Sequence, residues 1–109
     1  MMEVKPLWIE NYPFTAIRVA LPKTNLLVIT NEIGYVMCGA LDVDLLNDKL
    51  KDRGVIAGRA VGVKTLDDLL HAKLNKVTLE AQKKYGWREG MDIKEALVAI
   101  GSAEDELLH

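Results

Sequence analysis

Few residues in this chain have types and spacing that suit chemistry. Its one thiol, Cys38, lies in the uncharged, strand-like run Gly34-Tyr35-Val36-Met37-Cys38-Gly39-Ala40-Leu41. A glycine directly after a thiol lets a small molecule or another backbone approach the sulfur, yet the same composition describes a buried, inert strand. A nucleophilic thiol needs a neighbouring imidazole or cation to favour the thiolate. The histidines on offer are His71, at an expected helix end, and His109. Cys38 is therefore the catalytic candidate, without an evident base, and the buried reading competes with it because free cysteine is among the most buried residue types. No two histidines share a helical or hairpin spacing, and one thiol cannot build a tetrahedral site, so no metal is expected. No motif asks for a cofactor.

The segment Gly58-Arg59-Ala60-Val61-Gly62-Val63-Lys64-Thr65 carries a strand toward a helix start through glycine, lysine and threonine. It departs from the phosphate-loop pattern, in which the second glycine directly precedes the lysine, because Val63 intervenes. What survives is a small anionic ligand held by Arg59, Lys64 and Thr65, using free N–H groups at a helix N-terminus. Against it, Thr65-Leu66-Asp67-Asp68 has the arrangement of a capping box, which uses those N–H groups internally. Adjacent Asp67 and Asp68 diverge on a helix and make a poor acid/base pair.

Lys73, Lys76, Lys83, Lys84 and Arg88 surround Tyr85 and Trp87, the mixture of cations and stacking groups that single-stranded nucleic acid calls for. Lys83 and Lys84 would equally complement the end of a helix closed by Gly86. With 14 basic against 16 acidic residues the net charge is −2, which provides no general drive toward a polyanion, so nucleic acid is not an expected partner.

These groups must be positioned by a chain of 109 residues, read as one domain over 1–109 whose size suffices for a core without disulfides. Residues 1–41 are strand-rich. Strands are expected over Met2 to Ile9, Phe14 to Leu21 and Leu26 to Thr30, with turns at Pro22-Lys23-Thr24-Asn25 and Asn31-Glu32-Ile33-Gly34, the second leading into the Cys38 strand: a strand meander. In the second strand the face carrying Thr15, Ile17, Val19 and Leu21 reads as core. Residues 42–109 mix helix and strand. A helix behind Asp42 carries Val43, Leu46 and Leu50 and stops at Gly54; Val55 to Val63 reads as a buried strand; Ala72 to Val77 is a weak last strand. Thr78 is expected to cap a helix, and Asp92 with Glu95 to cap a final one whose apolar face is Ile93, Ala96, Leu97 and Ile100.

No apolar stretch reaches the roughly 18 residues of a membrane span, and the first residues lack a secretory leader. With a single cysteine, a reducing, cytoplasmic setting is expected. Leu7, Trp8, Ile9, Tyr12 and Phe14 concentrate large apolar side chains in the first strands. Either they pack on the chain's own helices or a partner chain covers them as an oligomer interface.

The runs Val19-Ala20-Leu21-Pro22, Leu26-Leu27-Val28-Ile29, Gly34-Tyr35-Val36-Met37-Cys38-Gly39, Gly62-Val63-Lys64-Thr65-Leu66-Asp67-Asp68-Leu69-Leu70 and Gly90-Met91 with Glu95-Ala96-Leu97 occur in this order from about Ile9 to Ile100. Together they resemble the YunC-like family, a bacterial and archaeal domain of unknown function. Ala40 departs from it, standing where a bulkier, often aromatic residue is expected, which bears on any pocket beside Cys38. The resemblance implies a small α+β fold, a mixed or antiparallel sheet with helices mainly on one face in two layers. It also implies a tetramer built through the N-terminal strands, and no assigned activity. Three functions stay open: a homo-oligomeric structural or small-ligand-binding module; an enzyme acting on a small metabolite through Cys38, Lys64 or Arg59 in a cleft between subunits; and a subunit whose first strands pair with a different protein.

Overall fold

The computed structural model describes residues 1–39, 43–48 and 53–108. The expected capping role of Asp42, the helical position of Leu50, the substitution at Ala40 and His109 lie outside them. The described chain runs β1 (Met2–Ile9), β2 (Tyr12–Leu21), β3 (Thr24–Thr30), β4 (Gly34–Met37), α1 (Val43–Asp48), β5 (Ile56–Arg59), α2 (Leu66–Leu70), β6 (Lys76–Val77), α3 (Leu79–Tyr85) and α4 (Ile93–Leu108). The strands form one sheet in chain order, antiparallel throughout except for the parallel pair β4–β5. This is the expected α+β fold, with the N-terminal meander in β1 to β4.

Two tight turns set the meander. Glu10 and Asn11 both take positive φ, 49° and 71°, as a two-residue hairpin with the twist of its strands requires. Lys23, with φ 66°, follows Pro22, the pattern of a turn with proline first and a left-handed residue second. In the third turn the Asn31 side chain accepts from the Ile33 and Gly34 N–H groups at 2.9 and 3.1 Å and donates to the Ile100 carbonyl at 3.1 Å. Glu104, largely buried, accepts from the Glu32 N–H at 3.1 Å. The β3–β4 turn is thus bolted to α4.

The hairpin register pairs Leu7 with Phe14, Lys5 with Ala16 and Ala16 with Ile29, and residues opposite one another share a face. Phe14, Ala16, Leu27, Ile29, Val36, Cys38, Ile56 and Ala60 therefore face α2, α3 and α4, which supply Leu69, Ala81, Ile93, Ala96, Leu97 and Ile100 to the core. This corrects the expected orientation of β2. The Phe14 and Ala16 face is core, and Thr15, Ile17 and Val19 are half-buried on the other side. Alternation assigns two faces to a strand but does not name which meets the helices, and here both are apolar. Among the described residues the opposite face is covered near β5, where α1 packs Val43 against Ala57, with Tyr35, Met37, Leu46 and Val55 around them. Burial there pushes the Tyr35 phenol pKa up.

Over β1 to β3 the second face carries Met2, Val4, Pro6 and Trp8, then Pro13, Thr15, Ile17 and Val19, then Leu26, Val28 and Thr30. None is charged. The charges of the first two strands, Glu3, Lys5 and Arg18, all lie on the helix side, where Arg18 Nε meets Glu3 Oε1 at 3.5 Å.

Further along, the capping box forms: Thr65 Oγ1 accepts from the Asp68 N–H at 3.0 Å and Asp68 Oδ2 accepts from the Thr65 N–H at 3.2 Å. Thr78 caps α3 by accepting from the Ala81 N–H, and Gly86 ends it in the left-handed conformation. The strand expected over Val55 to Val63 is shorter, because Ala60 is already the last residue bonded to β4, through Met37. The one expected over Ala72 to Val77 is reduced to Lys76–Val77 and an isolated Lys73–Asp92 bridge. Asp92 does not make the side-chain capping pair expected with Glu95. Its Oδ1 accepts from Lys73 Nζ at 3.1 Å.

Gly34 pairs with Ile56 at the start of the parallel pair, and a Cβ there would lie 2.5 Å from the Ile56 carbonyl oxygen. Gly34→Ala should destabilise by about 1–3 kcal/mol, read as a lower denaturant midpoint at unchanged m-value. On the α1 side, Lys76 Nζ donates to Asp44 Oδ1 at 2.7 Å. That hydrogen bond, then the Lys76 charge, holds the Asp44 carboxyl below its ordinary range. A depressed carboxyl stabilises the fold above its unfolded pKa, and the effect is lost as pH falls through the folded value. Lys76→Met should return Asp44 to the ordinary range in an NMR titration of its carboxyl carbon.

Candidate functional site

The carboxyl ends of β4 and β5, the parallel pair, open beside the β2–β3 hairpin. Parallel strands place ligand-binding loops at this end. Here the structure forms a groove of about 300 Å³ lined by Leu21, Thr24, Asn25, Leu26, Cys38, Gly39 and Val63. It continues into a cleft of about 430 Å³ that shares Leu21, Thr24, Asn25 and Val63 and adds Lys23 and Lys64.

Cys38 is buried, 6% exposed, on the helix side of β4. Its Sγ makes a long contact, 3.8 Å, with the Asn25 carbonyl. Asn25 also donates from Nδ2 to the Lys64 carbonyl at 3.3 Å, tying the hairpin to the loop before α2. His71 is not part of this arrangement. It caps the far end of α2, with Nδ1 2.9 Å from the Asp67 carbonyl, and lines a separate pocket with Leu70, Ala72, Asp92 and Lys94. No imidazole or carboxylate lines the Cys38 groove among the described residues, so the groups that would activate a thiol are not assembled there.

The three residues expected to hold an anion are separated. The Lys64 and Thr65 N–H groups both donate to Asp68 Oδ2, at 3.1 and 3.2 Å, so the start of α2 is already served by the chain's own carboxylate. Thr65 Oγ1 is engaged as the cap. Arg59 projects from the opposite face, pairing in register with Met37 and Lys76, and its Nη2 donates to Asn75 Oδ1 at 2.7 Å. Only the Lys64 side chain reaches the groove, where Lys23 joins it. Lys23 and Asn25 escaped sequence reasoning because both read as turn residues; their connection to Cys38 and Lys64 spans the sheet end.

A wider depression of about 540 Å³ lies at the other end of the sheet, between the β1–β2 turn and the start of α4, lined by Trp8, Ile9, Glu10, Leu70, Asp92, Lys94, Glu95 and Val98. Of the expected interface residues, Ile9 and Phe14 are 6% and 4% exposed within the chain's own core, and Leu7 and Tyr12 are half-buried against it. Trp8 alone of the five is well exposed, at 65%. The first two became core because the helix-side face of the hairpin meets α4.

The basic stretch is likewise dispersed. Trp87 is buried and donates from Nε1 to the Ala96 carbonyl at 3.1 Å. Lys73 pairs with Asp92, Lys76 with Asp44 and Lys84 with Glu80. A stacking platform among cations is not formed there.

The fold and groove define a mixed-sheet α+β protein with an enclosed thiol. The chain belongs to the YunC-like family, described as a domain of unknown function (DUF1805), whose family model matches residues 37–100. It is 55% identical over 100 residues to the uncharacterized protein YunC of Bacillus subtilis (strain 168), covering 92% of this chain and 98% of that protein. It is also similar to the crystal structure of a protein of unknown function, TA1206, from Thermoplasma acidophilum. There the TM-score is 0.80 and the identity 35%, over 90% of this chain and 91% of that one. These relatives bring a shared fold and no activity.

Burial of Cys38 yields a direct expectation. A maleimide should label it at least tenfold more slowly in native protein than in denaturant, and rapid native labelling would show that the groove admits the reagent to the sulfur.

Proposed function

We propose that this protein is a homo-oligomeric module, a tetramer as the family resemblance implies, that assembles through its N-terminal strands in a reducing, cytoplasmic compartment. One observation carries this reading. The second face of β1 to β3 is a continuous uncharged surface on which Met2, Val4 and Trp8 are 67%, 57% and 65% exposed. Apolar surface on this scale marks an interaction site. A single cysteine, partly shielded from oxidants, agrees with a reducing setting. No described helix is long and apolar enough to cross a membrane.

The groove supports a second role. Among the described residues its charged lining is Lys23 and Lys64, so a small anion would meet two ammonium groups there. This favours ligand binding over catalysis, because the described lining offers cations for recognition and no base for the thiol.

Native mass spectrometry of tag-free protein tests both parts. Four times the chain mass supports the tetramer, and extra non-covalent mass that disappears in a Lys23→Ala, Lys64→Ala double variant supports the anion. A monomer at micromolar concentration would overturn the assembly.

A further inference from the structure

We infer that the groove at the end of the parallel pair takes a small phosphate monoester, its phosphate held by Lys23 and Lys64 and a short apolar body running inward toward Cys38. This inference rests on the anion-binding role proposed for the groove and names the class of ligand.

The groove is divided by chemistry. Its outer cleft, about 430 Å³, is lined by both lysines, whereas the inner part, about 300 Å³, is lined by neither and ends at Cys38 and Gly39. Leu21 and Val63 line both parts, and Leu26 joins them on the inner one. These side chains are not fully used by the core: Leu21 is 47% exposed, and Leu26 and Val63 pack against the core while staying half-buried. At the inner end the Cys38 sulfur is 6% exposed and rests on the Asn25 carbonyl at 3.8 Å, so a ligand meets it as a small apolar surface. Small-molecule sites combine apolar walls, which supply affinity, with a few polar groups that fix orientation. A bare inorganic anion would use the lysines and leave the apolar wall in water. An uncharged apolar molecule would gain nothing from the lysines. A ligand charged at one end matches both parts, and the charge of a phosphate monoester, about −1.5 to −2 at neutral pH, suits two ammonium groups better than a single carboxylate does.

Lys23 points the same way. It stands at φ 66° in the turn after Pro22, a left-handed position that glycine or asparagine takes at lower cost. Lys73, Lys76 and Lys84 each have a carboxylate partner, but among the described residues neither Lys23 nor Lys64 is in an ion pair. Asp68, the carboxylate bonded beside Lys64, is turned to the backbone, where its Oδ2 accepts from the Lys64 and Thr65 N–H groups. A strained lysine without a partner in its own chain is accounted for by a partner outside it.

The test titrates the full-length protein with inorganic phosphate, n-hexyl phosphate and hexanoate, followed by the NMR shifts of the Asn25 and Gly39 amides. Each methylene that leaves water tightens binding by roughly twofold to fourfold, so hexyl phosphate should bind about tenfold or more tightly than phosphate. It should also slow maleimide labelling of Cys38, which phosphate should not. The Lys23→Ala, Lys64→Ala double variant should lose both phosphate ligands, and Leu21→Ser should lower the ratio of hexyl phosphate to phosphate affinity. All three positions are exposed, and circular dichroism checks that the variants fold. Lys23→Gly should melt no lower than wild type while binding phosphate more weakly. A lower melting temperature with unchanged phosphate affinity would assign Lys23 to the turn and overturn its place in the site. Equal affinity for phosphate and hexyl phosphate overturns the apolar body and leaves the anion-binding role standing. Hexanoate binding as tightly as hexyl phosphate overturns the phosphate head, and hexyl phosphate binding that survives the double lysine variant overturns its placement. Binding of none of the three at millimolar concentration overturns the anion-binding role and this inference together.

Discussion

The register of the β1–β2 hairpin is the constraint on which the rest depends. A one-residue slip would exchange every side chain of the hairpin between the two faces, sending Phe14 and Ala16 outward and bringing Arg18's neighbours Ile17 and Val19 under the helices. The left-handed pair Glu10–Asn11 holds the register from one end. From the other side, Phe14 and Tyr12 close onto α4 so tightly that a Cβ on Gly101 would lie 2.8 Å from Tyr12 Cβ. Once Phe14 is seated there, Leu27, Ile29 and Val36 follow across the sheet, and the uncharged row of Val4, Ile17 and Val28 is left outside.

The same register explains why the charges of the first strands lie on the helix side. α4 crosses the sheet at the turn end of the hairpin, over Phe14, and Glu3, Lys5 and Arg18 extend beyond it into solvent. A soluble strand ordinarily turns its charges to the face without helices. The inversion leaves the side away from α2, α3 and α4 uncharged over β1 to β3.

The groove at the other end owes its form to the parallel pair. β4 and β5 end together, at Met37 and Arg59, and release their following residues on the same side of the molecule. Cys38 and Gly39 then meet Val63 and Lys64, with Asn25 hydrogen-bonded between them. Just before the helix that follows, Asp68 already accepts from the Lys64 and Thr65 N–H groups. Beside the enclosed thiol the groove carries two lysines, Lys23 and Lys64.

Local sequence by itself determined the elements and their ends. Thr65 with Asp68, Thr78 with Gly86, and the Asn31 turn form as their side chains dictate, because each needs only partners within a few residues. The family was legible too, since its runs are local words in a fixed order. The tertiary structure alone decided which apolar face of β2 became core, because both faces are apolar and only the position of α4 distinguishes them. It also separated Arg59, on the sheet in register with Lys76, from Lys64, in the loop beside the β2–β3 hairpin. It drew Lys23 and Asn25 to Cys38, since contacts between strand ends far apart in sequence depend on sheet order. Finally it buried Trp87, whose ring fills the space above Gly58, a vacancy that exists only once the sheet and helices have met.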